Sequence, residues 1–124
     1  MSLVFVYGTL KRGDIRAGAL LHQVFLGTAH TEPMYRLRDC GEYPGLIAVP
    51  AAGLSIEGEV YDVTPECLRR LDEVEGVAEQ LYARRPVSLR PPYADQSVEA
   101  YFYLWETSDL PDCGTRWDPR IRGA

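Results

Sequence analysis

Thr64-Pro65-Glu66-Cys67-Leu68-Arg69-Arg70-Leu71-Asp72-Glu73-Val74-Glu75-Gly76 is the stretch that decides the architecture. Threonine supplies an N-cap oxygen, proline suits the first helical position, and the acid after it suits the positive helix end. The spacing predicts a helix from 65 to about 75 that stops at Gly76. At about 100° per residue, Cys67 at 0°, Leu71 at about 40°, Leu68 at about 100° and Val74 at about 340° form one apolar stripe. Glu75 falls at about 80°, inside the stripe, and Asp72 at about 140°, on its edge. Glu66 and Glu73 fall at about 240–260°, toward solvent.

Outward from this helix the chain reads as strands. Residues 3–7 are a short apolar, β-branched run ended by Gly8, followed by a loop over 9–14. Asp14 caps a short helix over 15–23 with Leu20 and Leu21 facing in; a loop with one helical turn is the alternative, because of Gly18. Residues 24–37 are extended but interrupted, with Gly27 and Pro33 as bulge or bend positions. A hairpin turn at 38–42 leads to strands at 43–49 and 54–63, the second with a crowded position at Gly58. Strands at 81–90 and 98–105, separated by Pro91-Pro92-Tyr93, close the body. Residues 106–124 are polar and irregular. About six strands with scattered helices exclude a doubly wound sheet and indicate a mixed α+β domain.

The 124 residues suit one domain. A hydrophobic fraction of 46% against 25% charged excludes a disordered chain. Thirteen Lys and Arg against 18 Asp and Glu leave a formal charge of −5, which argues against a nucleic-acid partner and an anionic membrane surface. No apolar run reaches the length of a membrane span, and the first residues have no secretory pattern. Cys40, Cys67 and Cys113 lack CxxC spacing and read as reduced thiols, which places the expected location in the cytoplasm. His22 and His30 have no metal-ligand spacing and read as surface residues, so neither a metal nor a cofactor is expected.

A carboxylate at Glu75 loses water and sits at the negative end of its helix. Both effects raise its pKa toward the range of a general acid/base. The alternative is that Glu75 frays outward and pairs with Arg84 or Arg85. The turn Tyr7-Gly8-Thr9-Leu10 is either an ordinary strand end or a nest of backbone N–H groups for a carboxylate or oxyanion. Tyr101, Phe102 and Tyr103 read as core aromatics. Tyr82, seven residues after Glu75, either returns its hydroxyl to that carboxylate or lies on an edge strand. No GxSxG is present, and Cys67 lies in the apolar stripe, so no protein nucleophile is evident.

Together, Val4-Phe5-Val6-Tyr7-Gly8-Thr9-Leu10-Lys11-Arg12-Gly13, Leu71-Asp72-Glu73-Val74-Glu75-Gly76 and Leu81-Tyr82-Ala83-Arg84 resemble the γ-glutamylcyclotransferase-like family, which includes the AIG2-like proteins. Tyr43-Pro44 and Glu57-Gly58-Glu59-Val60-Tyr61 match in order, and the likeness covers about residues 3–105. It implies a small mixed β-barrel with flanking helices over 1–105, with 106–124 as an irregular tail of the same domain. It implies that Tyr7, Gly8, Thr9 and Leu10 bind substrate through the backbone, that Glu75 is the general acid/base, and that Tyr82 hydrogen-bonds in the pocket. The implied reaction cyclises a γ-glutamyl amide to 5-oxoproline and releases an amine, without metal or cofactor. A non-catalytic module binding a small carboxylate on the same scaffold is the alternative. Neither the amine nor the oligomeric state is legible.

Overall fold

The structure, a computed structural model, describes residues 2–8, 10, 11 and 17–117. Seven strands form one sheet: β1 (Ser2–Val6), β2 (Val24–His30), β3 (Tyr35–Asp39), β4 (Pro44–Ala48), β5 (Glu57–Val63), β6 (Tyr82–Pro86) and β7 (Val98–Tyr103). A single α-helix, α1 (Pro65–Val74), and a 3-10 turn at Ala17–Leu20 complete the described elements. The sheet runs β2-β5-β1-β7-β4-β3, with β6 on β7. The mixed α+β class is as expected, but the expected barrel is corrected. β2 and β3 end the pairing path without joining, so the sheet is curled and open.

The curl makes two cores. Phe5, Leu37, Leu46, Ile56, Val60 and Phe102 pack inside it with Trp117. Val4, Val6, Tyr61, Val63 and Tyr101 on the opposite face meet Cys67 and Leu71 of α1 and Leu20 of the 3-10 turn. With both faces of β1 and β5 covered, simple alternation breaks: Val60 and Tyr61 are buried in succession, one in each core.

The one expected extended run over 24–37 becomes β2 and β3, with a bend at Pro33 between them. The register of β2 on β5 shifts between Phe25 and Gly27, so the expected bulge is present. At Gly58 an added Cβ would lie 2.5 Å from the Val6 carbonyl oxygen, which accounts for the crowding. Of the expected helix over 15–23, one 3-10 turn is seen; Asp14 and residues 15 and 16 lie outside the described residues. Leu20 is buried but Leu21 is 65% exposed, because the turn lasts too briefly to aim both inward.

Thr64 caps α1 as expected, its hydroxyl accepting from the Cys67 N–H at 3.1 Å. Gly76, at φ +68°, ends the helix: its N–H donates to the Glu73 carbonyl and that of Val77 to the Asp72 carbonyl. The buried line is Cys67, Leu71 and Glu75, spaced by four residues, so the inward arc drifts about 40° per step. Val74, expected in the stripe, is left outside it and is 41% exposed.

The centre of the sheet is a seam. β1 runs parallel to β7 only at Leu3 and Val4, opposite Val98 and Glu99. β4 takes over the same edge of β7 further on, with Leu46 opposite Phe102. Between them the Tyr7 hydroxyl donates to the Tyr101 carbonyl at 2.6 Å and accepts from the Leu46 N–H at 3.2 Å. One phenol thereby closes a break in the ladder. Tyr7→Phe strips two buried backbone groups of their partner and is expected to lower unfolding free energy by about 2–4 kcal/mol in urea titration. An unchanged midpoint would contradict this role.

Candidate functional site

Past the end of β1, next to the start of β4, a cleft opens with an empty volume of about 320 Å³, partly continuous with solvent. Phe5, Val6, Tyr7, Gly8 and Leu10 line one side, Tyr43 and Pro44 another, and Tyr82 and Tyr101 the sheet beneath. Glu75 enters from the end of α1 and is the only carboxylate among the described lining residues. It is 9% exposed, so the inward alternative for this residue holds. Its own N–H donates to the Leu71 carbonyl at 2.9 Å, and the Gly76 cap fixes the chain just beyond it.

The loop after β1 is a tight turn, with the Lys11 N–H donating to the Gly8 carbonyl at 3.0 Å. Gly8 presses against β4: an added Cβ would lie 2.6 Å from Pro44 Cγ. The glycine is therefore required for close approach of the loop to the opposite cleft wall. Thr9, expected to bind substrate through its backbone, lies outside the described residues. Lys11, the sequence's one lysine, donates from Nζ to the Trp117 carbonyl at 2.7 Å and so ties the loop to the C-terminal segment.

Three phenols surround the acid. Burial pushes the Tyr7 phenol well above its ordinary value, and the charge of Glu75 raises it further. Burial raises Tyr82, with Tyr7 and Glu75 adding to it. Burial and the contact with Asp72 raise Tyr101, again with a contribution from Glu75. All three stay neutral at physiological pH. Their protons are directed away from the cleft acid: Tyr7 to the Tyr101 carbonyl, Tyr82 to the Pro44 carbonyl at 2.6 Å, and Tyr101 to Asp72 Oδ1 at 2.7 Å. Each phenol oxygen keeps lone-pair capacity. Tyr82 lines the cleft and lies on β6, which pairs with β7 alone among the described strands, and its hydroxyl donates to the Pro44 carbonyl.

The alternative partner for Glu75, Arg84, is engaged elsewhere. Its guanidinium takes Asp72 in a two-pronged pair, at 3.0 and 3.2 Å, and reaches Glu99 at 2.6 Å. His22 and His30 are exposed, as expected, and His30 lies 3.5 Å from Glu57. The three cysteines are free thiols; burial pushes Cys40 up to about 11 and also raises Cys67. No described helix is long and apolar enough to cross a membrane.

Tyr101 was legible in the sequence only as a core aromatic. Its role at the cleft follows from sharing a face of β7 with Tyr103 and lying opposite Arg84 of β6. Pro44 carried no chemical signal of its own; its importance is the contact with Gly8.

These features define a small α+β protein in which Glu75, the one buried acid among the described residues, shares an aromatic cleft with the tight turn after β1. A family model for γ-glutamyl cyclotransferase, AIG2-like, matches residues 4–119, and the chain belongs to this family of cyclotransferases. A putative γ-glutamylcyclotransferase of Vibrio cholerae is 35% identical over 96% of this chain and 97% of its own length. The human γ-glutamylaminecyclotransferase is 36% identical over 83% of this chain and 78% of its own length. A putative γ-glutamylcyclotransferase of Arabidopsis thaliana is 39% identical over 71% of this chain, which spans about half of that protein (51%). Among solved structures, an AIG2-like protein from Mus musculus superposes with a TM-score of 0.79 at 29% identity, covering 95% of this chain and 88% of that one.

Gly8→Ala places a methyl group against Pro44. The expected loss is about 1–3 kcal/mol in denaturant unfolding, with the loop displaced from Pro44 in a structure of the variant. A variant as stable as the parent, with an unmoved loop, would contradict the close-approach argument.

Proposed function

We propose that this chain is a γ-glutamyl cyclotransferase that converts a γ-glutamyl amide to 5-oxoproline and a free amine, with Glu75 as general acid/base. The observation that carries the reading is the buried Glu75 carboxylate, the one acid among the described residues lining the cleft, at the capped end of α1.

The reaction requires no protein nucleophile. The α-ammonium first loses a proton to water. The resulting amine attacks the γ-carbonyl carbon of the same molecule, forming the lactam C–N bond. Glu75 takes a proton from the attacking nitrogen and delivers it to the departing nitrogen as the old C–N bond breaks. One carboxylate serves both transfers because both nitrogens are bonded to the same carbon in the tetrahedral intermediate. Holding the ligand folded removes much of the entropic barrier, which in well-oriented intramolecular reactions contributes about 7–11 kcal/mol.

Main-chain N–H groups of the Gly8–Leu10 turn hold the α-carboxylate or the developing oxyanion. Tyr82, whose proton is committed to Pro44, offers a lone pair to an N–H of the ligand. With the ligand seated, the aromatic walls limit the access of water, which would otherwise compete for the reacting carbonyl and give free glutamate.

The test is a panel of γ-glutamyl amides, with amine and 5-oxoproline measured together. Glu75→Gln keeps the shape and removes the proton carrier. Its kcat is expected to fall at least about 100-fold, while binding of the amides persists by calorimetry. Wild-type turnover by the variant would refute the role of Glu75, free glutamate as product would refute cyclisation, and tight binding without turnover by the parent across the panel would identify a binding module.

A further inference from the structure

The reaction proposed above acts on the glutamyl half of the ligand and leaves the amine open. The wall of the cleft restricts what that amine can be. Of the described residues that line the cleft, every one is buried except Tyr43, which is half-buried. Tyr43 therefore marks the side on which the described wall meets solvent. Glu75 is the only charged side chain among the described lining residues, so this wall offers no cation.

The Tyr43 ring is held before any ligand arrives. Its carbonyl accepts from the Cys40 N–H at 3.0 Å, which closes the turn ahead of β4. The next residue, Pro44, lies against Gly8 and takes the Tyr82 hydroxyl on its own carbonyl at 2.6 Å. The rings of Tyr43 and Tyr82 are 6.2 Å apart at 60°, and those of Tyr82 and Tyr103 are 5.4 Å apart at 65°. These phenols form a continuous aromatic face that runs from buried Tyr82 to half-buried Tyr43 and Tyr103. A side chain already fixed by its neighbours loses little freedom when a ligand lands on it.

The chemistry decides which part of the ligand meets this face. The α-nitrogen and the γ-carbonyl carbon end up in the lactam ring, and the α-carboxylate stays attached to it. The substituent on the departing nitrogen is the part that differs from one γ-glutamyl amide to another, and a long one has to extend out of the cleft. An aromatic rim without a cation favours a carbon chain there.

We propose that Tyr43 determines specificity for the leaving amine, its ring packing against the carbon stem of the γ-glutamyl amide of an alkyl or arylalkyl amine. This rests on the cyclotransferase reading above and names the class of substrate for it.

The experiment measures kcat/KM for 5-oxoproline release from the γ-glutamyl amides of methylamine, butylamine and phenethylamine, in the parent, Tyr43→Ala and Tyr43→Phe. Methylamine and butylamine are nearly equally basic, so their comparison reads contact with the stem rather than leaving ability. In the parent the butyl and phenethyl amides are expected to exceed the methyl amide about tenfold or more. Tyr43→Ala is expected to compress that ratio to about twofold or less, and Tyr43→Phe, which keeps the ring, to preserve it. A part in packing alone lowers kcat/KM for all three amides together and leaves the ratio as in the parent. That result overturns the proposal, as does a parent with no preference among the amides.

Should Tyr43→Ala fail to fold, Tyr43→Asn takes its place with the same compression expected. If the parent releases no 5-oxoproline from any amide, the cyclotransferase reading fails, and the rim is judged by calorimetric affinity for the same amides. Tighter binding of the butyl than the methyl amide, lost in Tyr43→Ala, then supports the role of Tyr43, and equal binding overturns it.

Discussion

A parallel strand pair that separates leaves backbone groups facing nothing, and this protein resolves that problem with the hydroxyl of Tyr7. The phenol, at the end of β1, links β7 to β4, donating to the Tyr101 carbonyl and accepting from the Leu46 N–H. Buried polar groups without partners are costly, so the split can exist only because something bridges it. The cleft is the space the split creates. Seam and site therefore have one origin, and Tyr7 belongs first to the sheet, whatever its main chain does for a ligand.

From that seam the remaining parts fall into place. Gly8 allows the loop to lie against Pro44 on the far wall. Gly76 ends α1 so that its last carboxylate lies over the opening. Three phenols surround that carboxylate with their protons already directed elsewhere. The result is a largely buried acid whose neighbours are oriented by backbone carbonyls and by Asp72. Pre-orientation of this kind matters because groups already fixed need not reorganise during a reaction.

Much of this was legible from residue patterns. Thr64-Pro65-Glu66 and Gly76 marked both ends of α1, and the stripe of Cys67, Leu71, Leu68 and Val74 had Glu75 inside it, with an outward Glu75 as the open alternative; the structure keeps Cys67, Leu71 and Glu75 inward and leaves Val74 outside. Gly27 and Gly58 announced a bulge and a crowded crossing. What sequence could not reveal was long-range. The meeting of Gly8 with Pro44, and of Tyr7 with Tyr101 and Leu46, joins residues far apart in the chain with no local signature. The small mixed barrel implied by family likeness is a curled, open sheet because β2 and β3 do not pair. Trp117, in a stretch that reads as irregular, packs in the inner core because the segment before it runs beside β3, with the Cys113 N–H on the Leu37 carbonyl.

The strand order has a bearing on how the chain acquires its shape. β7 sits at the middle of the sheet and pairs with β1, β4 and β6, yet it is the last of the described strands to be synthesised. On a ribosome, the earlier strands must wait for their common neighbour, with apolar edges uncovered until it arrives. Such a topology makes folding depend on distant pairings, which slows it. Chaperone protection during translation would then count for more in this protein than its small size suggests.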